Sequence, residues 1–270
     1  MDSTTPLNLR AENIGIAYLP TRGFTAIWVR NFVYFKRYWL SALGWSVVEP
    51  ILYLFAVGFG LGEMVEKIGD RRYVEFFFPA LLIFSSVWIA TLECTFPCLS
   101  KLKYQGTYSA ISLTPLSPTD IVFGEVLWAA SKSMLGAVCV LLVGTVAGVV
   151  TTAWILPSLF IVFLTAMIFA GAGLAITTRV SNYDSFTYLI SGVVLPLTLF
   201  SGTYFPLDRL PPLLMNLSYV SPITHAVIVS RSLSYQEWDH SLWVHVLVLL
   251  GFLMLSTVWA IRSFHRRLIP

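Results

Sequence analysis

The chain has 270 residues, of which 57% are hydrophobic and only 11% are charged. A soluble domain carries roughly 25% charged residues, so this composition excludes a soluble protein that covers a single core with charge. The net charge of +3 is small and does not indicate a nucleic-acid partner. Nine tryptophans and an aromatic content of 15% suit a protein that is anchored at two membrane interfaces.

Six apolar runs approach the length of about 20 residues that a helix needs to cross a bilayer. The sequence therefore predicts an all-α integral membrane protein in which six transmembrane helices occupy residues 40–261. Residues 1–20 are predicted to be a cytoplasmic N-terminal segment, and residues 262–270 a cytoplasmic tail. The predicted spans, of which the fifth is short and the third is long, are Leu40–Leu61, Phe76–Phe96, Ile121–Val150, Trp154–Thr177, Phe186–Phe200 and Leu242–Ile261.

The distribution of Lys and Arg predicts the orientation, because basic residues are concentrated in cytoplasmic loops. With the N-terminus inside, the outer segments contain few basic residues: Lys67, Arg71, Arg72, Arg209 and Arg231. The cytoplasmic segments then contain the larger set: Arg10, Arg22, Arg30, Lys36, Arg37, Lys101, Lys103, Arg179, Arg262, Arg266 and Arg267. Both termini are therefore predicted to be cytoplasmic.

An aromatic stripe precedes the first span, within residues 21–39. Its members recur at intervals of four and three residues, as on one face of a helix: they are Phe24, Trp28, Phe32, Phe35 and Trp39. Arg30 and Arg37 project from the opposite side. An amphipathic helix of this kind is expected to lie in the membrane surface, with its rings among acyl chains and its cations among phosphates. The alternative is that the segment simply extends the first span.

The cytoplasmic loop at residues 100–118 begins with Lys101 and Lys103 and ends with two prolines, Pro115 and Pro118. A short helix over Thr107–Leu113 is predicted, since proline ends a helix. Such a helix between two long spans is either a docking point for a cytoplasmic partner or part of an ordinary solvated loop.

Four ionisable residues lie within the predicted spans: Glu49, Glu93, Glu125 and Lys132. Charge inside a membrane is costly, so these residues have either a function or a structural partner. Glu125 and Lys132 are two helical turns apart, too far for a direct pair on one helix. Each is therefore expected to find a partner on a neighbouring helix or to face water, and Glu49 or Glu93 is expected to neutralise Lys132.

Cysteines and glycines in the spans predict packing rather than chemistry. The three cysteines, Cys94, Cys98 and Cys139, lie in apolar runs and indicate neither a disulfide framework nor a metal site. Gly144 and Gly148 form a GxxxG pattern, which lets helix backbones approach closely in lipid.

Residues 201–241 are apolar between their prolines, unlike an ordinary extracellular loop. They predict an outer re-entrant hairpin of short helices between the fifth and sixth spans, where protein shields the backbone from lipid. Within this region Leu210-Pro211 is followed after ten residues by Pro222-Ile223-Thr224-His225, and after five more by Arg231. This spacing resembles the latter half of the motif of type-2 ABC exporter permeases.

The resemblance extends over essentially the whole chain, in the order of interfacial helix, six spans and outer hairpin. Three longer segments are similar to the nodulation protein J branch, the permease subunits of lipo-oligosaccharide exporters: Glu49–Gly62, Asp120–Leu135 and Asn182–Pro211.

The resemblance implies a permease subunit in the bacterial inner membrane that forms a homodimer and works with two copies of a separate cytoplasmic ATPase. The ATPase would bind ATP and Mg, whereas this chain would hold no cofactor or metal and would not be an enzyme. The sequence has no GxxxxGK[ST] loop for nucleotide phosphates, which agrees with that division. The implied cargo is a lipid-linked or amphipathic oligosaccharide that moves outward, in contact with membrane lipids.

The resemblance also implies roles for two sets of residues. The predicted coupling residues, which would contact the ATPase, are Lys101, Lys103, Tyr104, Thr107, Tyr108, Ile111 and Leu113. The candidates for the transport path or its gate are Glu49, Glu93, Glu125, Lys132, Phe205, His225 and Arg231.

Two other classes of membrane protein are alternatives. A secondary transporter driven by an ion gradient would use the buried carboxylates as ion sites, but such folds often contain inverted repeats and no convincing repeat is visible. An integral-membrane enzyme acting on lipid or glycan would use His225 with Asp208 and Arg209. The sequence contains no HExxH or GxSxG pattern to support this reading.

Overall fold

The computed structural model describes residues 22–65, 67–150 and 152–268. The predicted N-terminal segment 1–20 lies outside the described residues. The described part is all-α, as predicted, apart from a two-stranded antiparallel hairpin of β1 (Lys67–Ile68) and β2 (Arg71–Arg72). The helices are α1 Phe24–Arg37, α2 Trp39–Tyr53, α3 Gly62–Val65, α4 Tyr73–Leu99, α5 Thr107–Ile111, α6 Pro118–Val146, α7 Ser158–Thr177, α8 Ser185–Leu189, α9 Leu195–Leu199, α10 Pro212–Ser218, α11 Pro222–Tyr235 and α12 Leu242–Leu268.

Three π-helical segments continue or join these helices: Leu54–Leu61 follows α2, Ser100–Tyr104 follows α4, and Ile190–Val194 joins α8 to α9. A π-helical turn contains more residues than an α-helical turn, so it changes the direction of the side chains that follow it. Two short 3₁₀ segments, Ala153–Ile155 and Leu207–Arg209, complete the helical structure of the described chain.

Five of the described helical segments are long and apolar enough to cross a membrane, or six if the bent pair of α10 and α11 counts as one span. The five are Trp39–Val65, Tyr73–Tyr104, Pro118–Val146, Ala153–Thr177 and Leu242–Leu268. They correspond to the first, second, third, fourth and sixth predicted spans.

The fifth predicted span is shorter than a usual transmembrane helix. The apolar helix Ser185–Leu199 is about 22 Å long at about 1.5 Å per residue, whereas the hydrocarbon core is about 30 Å thick. The bent pair follows within the predicted hairpin region, and its two helices meet at 85°. Each begins at a proline, Pro212 or Pro222, where the missing N–H costs nothing. The depth of this pair in the membrane stays a prediction.

The central helix of the bundle is α4, which packs against α6, α7 and α11. In the most apolar part of the segment Tyr73–Tyr104, 89% of the residues are buried, compared with 19% for Trp39–Val65 and 22% for α12. The first and last spans therefore lie at the periphery and offer most of their surface to lipid or to another chain.

The predicted GxxxG pattern is only partly correct. Gly144 lies directly against the Phe78 ring of α4, so that an added Cβ would overlap the ring. Gly148 lies beyond the end of α6 and has a φ of +69° with open space around it. It forms a turn rather than a helix contact.

Several predicted boundaries differ from the structure. Trp39 begins α2 rather than ending the interfacial helix, and α5 ends at Ile111, so Leu113 lies beyond it. The second span continues through Tyr104 into the predicted loop. The predicted tail is helical to the end of the described residues, because α12 runs to Leu268.

Pro118 does not end a loop helix; it is the first residue of α6. The Ser117 side chain accepts a hydrogen bond from the Asp120 N–H, and the Asp120 carboxylate accepts one from the Ser117 N–H. This capping box, with proline at the first helical position, fixes the start of α6.

Candidate functional site

The carboxylate of Glu125 in α6 is buried, with 1% of its side chain exposed, and it accepts hydrogen bonds from four residues at the α5 end of the bundle. Its Oε1 accepts hydrogen bonds from Arg30 Nη2 at 2.7 Å, Lys101 Nζ at 3.0 Å and the Tyr108 hydroxyl at 3.0 Å. Its Oε2 accepts from Asn31 Nδ2 at 2.9 Å and Lys101 Nζ at 2.8 Å. A buried carboxylate is tolerated only when it is paired and hydrogen-bonded in this way. We refer to these five residues as the Glu125 cluster.

The Glu125 cluster joins four separate elements. Arg30 and Asn31 belong to α1, Lys101 to the π-helical segment after α4, Tyr108 to α5 and Glu125 to α6. A displacement of α5 therefore acts on the same carboxylate that holds α1 and the end of α4.

Tyr108 is the buried anchor of α5. Its ring packs edge-on against Phe264 of α12, with 5.5 Å between ring centroids. Burial, together with the nearby Cys98 thiol and Glu125 carboxylate, holds the pKa of the Tyr108 phenol well above its ordinary value. The phenol is therefore protonated at neutral pH and donates its hydrogen bond to Glu125.

The contact between α1 and α6 depends on Gly124, the residue before Glu125. A Cβ atom at Gly124 would lie 2.5 Å from Ile27 Cβ and 2.9 Å from the Phe24 carbonyl oxygen. Real Cβ atoms do not approach so closely, so only glycine lets α1 lie against α6 at the distance that brings Arg30 to Glu125.

Some rings of the aromatic stripe of α1 pack on α6, and others are exposed. Trp28 donates from Nε1 to Ser131 Oγ at 3.2 Å, and Phe35 packs edge-on against Trp128 with centroids 5.6 Å apart. Phe32 and Trp39 are exposed, and Phe24 is half-buried. The stripe therefore packs in part on α6 rather than facing only acyl chains.

The two arginines predicted to lie opposite the stripe differ in their surroundings. Arg37 is exposed at the end of α1, as expected for a cation at a membrane surface. Arg30 instead turns into the protein to pair with Glu125. The sequence did not indicate this partner, a buried carboxylate on α6.

A second ion pair lies between α4 and α6. Lys132 Nζ and Glu93 Oε2 are 2.6 Å apart, and Trp128 Nε1 donates to Glu93 Oε1 at 2.8 Å. About 15% of each charged side chain is exposed. The sequence predicted that Glu49 or Glu93 neutralises Lys132, and Glu93 is the partner.

Two cavities lie along this pair. The larger has a volume of about 500 Å³, and its lining includes Arg30, Tyr34, Tyr38, Lys101 and Trp128. The smaller has a volume of about 250 Å³, and its lining includes Ser46, Glu49, Trp88 and Phe96. Glu93, Pro97 and Lys132 line both cavities. The ion pair thus stands where the two cavities meet.

Glu49 differs from the other carboxylates in the spans. It is half-buried and lines the smaller cavity together with Trp88. Within the described residues it forms no ion pair. Its carboxylate is thus available to the smaller cavity.

The remaining coupling residues lie around α5. Lys103 donates to the Ser181 carbonyl at 3.1 Å, and Tyr104 stacks on Tyr183 with centroids 5.3 Å apart. Thr107 begins α5 and lines the larger cavity, and Ile111 is half-buried at its end. Leu113 is 90% exposed.

The gate candidates Phe205, His225 and Arg231 lie at the opposite end of the bundle, away from the Glu125 cluster. Arg231 donates to the carbonyls of Phe76 at 3.1 Å and Thr203 at 3.3 Å and lies over the Phe76 ring. It therefore fastens α11 to the start of α4 through backbone carbonyls.

His225 and Phe205 hold the same end together in a different way. His225 Nδ1 lies 2.6 Å from Nδ1 of His245 on α12, and its Nε2 lies 2.9 Å from the Tyr219 carbonyl oxygen. The Tyr219 carbonyl accepts from His225 Nε2–H, and with that tautomer His245 Nδ1 donates the second hydrogen bond to His225 Nδ1. Phe205 is half-buried in the turn that precedes Pro206.

Three residues of the site were not singled out from the sequence: Asn31, Gly124 and Trp128. For Gly124 and Trp128 the sequence contained a usable signal, since each lies within four residues of a charged residue in the third predicted span. For Asn31 the sequence contained no such signal, because an amide beside Arg30 on an amphipathic helix is equally compatible with solvent.

Among residues 22–65, 67–150 and 152–268, no group of three or more His, Cys, Asp or Glu side chains is placed to hold a metal ion. Cys94 and Cys98 are free and buried, in agreement with a packing role.

The fold and its buried charges define a multi-pass α-helical membrane protein. Residues 22–235 match the family model of the ABC-2 type transporter. The chain belongs to the ABC-2 type transporter family, and within it resembles nodulation protein J.

Among the relatives, nodulation protein J of Rhizobium leguminosarum bv. viciae is 28% identical over 257 residues, which cover 94% of this chain and 99% of the relative. Nodulation protein J of R. leguminosarum bv. trifolii is 32% identical over 206 residues, or 76% and 79% of the two chains. The inner membrane transport permease YadH of Escherichia coli K12 is 24% identical over 203 residues, or 75% and 78%.

Membership of this family makes the chain the membrane subunit of an ABC exporter, which transports and is not itself an enzyme. It implies an ATP-binding partner and a substrate in the membrane. The alternatives of an ion-driven transporter and a lipid-modifying enzyme are thereby set aside.

Proposed function

We propose that this chain moves a lipid-linked or amphipathic oligosaccharide outward across the bacterial inner membrane. It would act as a homodimer, with two copies of a cytoplasmic ATPase subunit that binds ATP and Mg. The observation that carries this proposal is the Glu125 cluster, because it gives a short exposed helix, α5, a rigid connection to three other elements.

The cluster suits the transfer of movement from an ATPase to the membrane domain. Tyr108 faces inward to Glu125, whereas Leu113 and Tyr104 on the same segment face outward. A partner that pushes on the outward side would displace the Tyr108 hydroxyl and thereby disturb the contacts of Arg30 and Lys101. Such a chain of direct contacts is what coupling between two sites requires.

The distribution of basic residues supports a cytoplasmic position for the α5 end. Lys101 and Lys103 directly precede α5, and Arg266 and Arg267 follow Phe264, which packs on Tyr108 of α5. Under the positive-inside rule this supports the proposal that both termini are cytoplasmic. The ATPase would then meet α5 and the neighbouring α1.

The two cavities are the proposed entrance of the transport path. Carboxylates such as Glu49 and Glu93 accept hydrogen bonds from sugar hydroxyl groups. Trp88 and Phe96 offer flat apolar faces beside them. This mixture of apolar surface and a few polar groups suits the oligosaccharide part of an amphiphile. The lipid part would lie among the aromatic residues of α1.

The opposite end of the bundle is the proposed outer gate. Arg231 and His225 fasten the bent pair of helices to α4 and α12 through a few hydrogen bonds. Separation of these contacts would open the outer end, with Phe205 in the turn that moves.

The test begins with purification of the chain from its own cells in detergent, followed by identification of any ATPase that accompanies it. ATP hydrolysis and transport are then measured for Tyr108→Phe and for the matched control Tyr104→Phe. Tyr108→Phe removes the hydrogen bond to Glu125 but keeps the ring, whereas Tyr104→Phe keeps the exposed stack on Tyr183.

We expect Y108F to bind the ATPase normally but to transport at least fivefold more slowly per ATP hydrolysed, and Y104F to resemble the wild type. A hydrogen bond to a charged group contributes roughly 1.5–3 kcal/mol, enough for such an effect. Purification of the chain without any ATPase would refute the proposal, and equal behaviour of the two variants would refute the role of the cluster.

A further inference from the structure

The Glu125 cluster is not electrically balanced. Arg30 and Lys101 are both cations, and both pair with the single carboxylate of Glu125. Asn31 contributes only a neutral amide, whose Oδ1 accepts from Arg30 Nη2 and from Lys101 Nζ, each at 3.1 Å. One positive charge is therefore left over in a largely buried position, where an uncompensated charge is costly.

Arg30 also has an unused donor. Its Nη2 bonds to Glu125 and Asn31, whereas its Nη1 is buried and has no hydrogen-bond partner. A buried donor without an acceptor costs roughly 1–3 kcal/mol. The surplus charge of Arg30 and Lys101 indicates a missing anion beside the cluster.

The larger cavity adjoins this surplus charge. Three cations, Arg30, Lys101 and Lys132, line it, and its one carboxylate, Glu93, is already paired with Lys132. Its volume of about 500 Å³ is sufficient for a phosphate-bearing head group. Four aromatic side chains also line the wall: Tyr34, Phe35, Tyr38 and Trp128.

We propose that the larger cavity binds the anionic head group of a membrane amphiphile, with Arg30 as the central ligand. The planar guanidinium matches the oxygen atoms of a phosphate, and the anion would neutralise the surplus charge of the cluster. Basic pockets between membrane helices on the cytoplasmic side bind acidic head groups in this way.

The aromatic wall favours an amphiphile over a free ion. Tyr34 lies on α1 and Tyr38 directly precedes the first span. Both side chains are exposed. Acyl chains leaving the cavity would meet these rings, whereas inorganic phosphate would gain nothing from them. The inference rests on the proposed function in one respect, namely that α1 lies at the inner membrane surface.

The binding test uses the full chain in a neutral detergent, titrated with fluorescent phosphatidylglycerol and, separately, with phosphatidylcholine carrying the same fluorophore. We expect phosphatidylglycerol to bind at least tenfold more tightly. The variant Arg30→Gln should lose this preference. Arg37→Gln is the matched control, since Arg37 lies on the same helix, is exposed and does not line the cavity.

A second variant guards against loss of the fold. Arg30→Lys keeps a cation near Glu125 but removes the planar fork with its free Nη1. It should keep the wild-type melting temperature within a few degrees and still bind phosphatidylglycerol several-fold more weakly. If Arg30→Lys and Arg37→Gln both bind as the wild type does, Arg30 is not the ligand and the proposal is wrong.

Two other outcomes would overturn the inference. Equal binding of the two lipids would exclude recognition of an anion. Inorganic phosphate that binds alone as tightly as phosphatidylglycerol would show that the ligand is a free ion rather than an amphiphile. None of these measurements involves an ATPase, so the site can fail while the proposed exporter function stands, and the reverse also holds.

Discussion

The other side chains of the Glu125 cluster all donate hydrogen bonds to one acceptor, the carboxylate of Glu125. A charged residue within a transmembrane helix ordinarily destabilises that helix in the membrane, since charge is excluded from hydrocarbon. Here the cost is offset by five hydrogen bonds that come from three other elements. The same residue that would destabilise an isolated helix therefore specifies how that helix meets its neighbours.

The Glu93–Lys132 pair is the better subject for a charge-reversal experiment, because only two charged groups take part. Either Glu93→Lys or Lys132→Glu alone places like charges about 3 Å apart in a partly buried site, at a cost of roughly 3–5 kcal/mol. The double variant should recover much of this loss. Recovery will be incomplete, because Trp128 donates a hydrogen bond to the carboxylate of Glu93 on α4. In the double variant the carboxylate lies at position 132 instead, and this hydrogen bond is lost.

Melting temperature in detergent measures this prediction, with Arg72 and Glu75 as the matched control. That pair is partly exposed, at 55% and 25% of its side chains, so its reversal should cost less than about 1 kcal/mol. If the Glu93/Lys132 double variant is no more stable than the single variants, the two residues are not coupled.

Residue contacts were harder to predict than the presence of charged residues in spans. The sequence indicated that Glu125 and Lys132 each need a partner, and it offered Glu93 to Lys132. It did not indicate Arg30 as a partner for Glu125, because the two residues are 95 positions apart. Contacts between residues so far apart in the sequence depend on how the helices pack. The spacing of residues within one helix carries no information about that packing.

Among the elements, α1 illustrates what periodicity can and cannot reveal. Its amphipathic character and approximate bounds follow from the spacing of its aromatic residues. Its inward contacts do not, since they depend on the absence of a side chain at Gly124 on another helix. The short helix Ser185–Leu199 is a similar case: its apolar character was evident, but its π-helical centre was not.

The substitution Gly124→Ala should separate α1 from α6. The added Cβ would overlap Ile27 and the Phe24 carbonyl, and overpacking of this kind costs about 1–3 kcal/mol. Gly251→Ala is the matched control, because this helical glycine of α12 has open space around it. There alanine should stabilise the helix by up to about 1 kcal/mol.

Thermal unfolding of both variants in the same detergent checks this prediction. A decrease for G124A with no decrease for G251A is the expected pair of results. Equal effects would mean that α1 does not depend on close approach to α6, and that its position relative to Glu125 is set elsewhere.

For the whole molecule, the orientation predicted from basic residues can be measured directly. In a variant lacking Cys94, Cys98 and Cys139, single cysteines are introduced by Leu113→Cys or Met64→Cys, at positions 90% and 82% exposed. A membrane-impermeant maleimide applied to spheroplasts of the producing cells should label M64C only, and both variants after permeabilisation. Labelling of L113C before permeabilisation would reverse the orientation.

The order in which the chain is synthesised gives the Glu125 cluster a further significance. Arg30, Asn31, Lys101 and Tyr108 all precede Glu125, just as Glu93 precedes Lys132. When the ribosome adds either buried charge of α6, every partner of that charge has already been made. The two buried charges of α6 therefore enter the membrane when their partners are already present, whereas Glu93 of α4 must wait for Lys132. Moving α1 to the C-terminus by circular permutation would leave Glu125 with Lys101 and Tyr108 but without Arg30 and Asn31 until the end of synthesis.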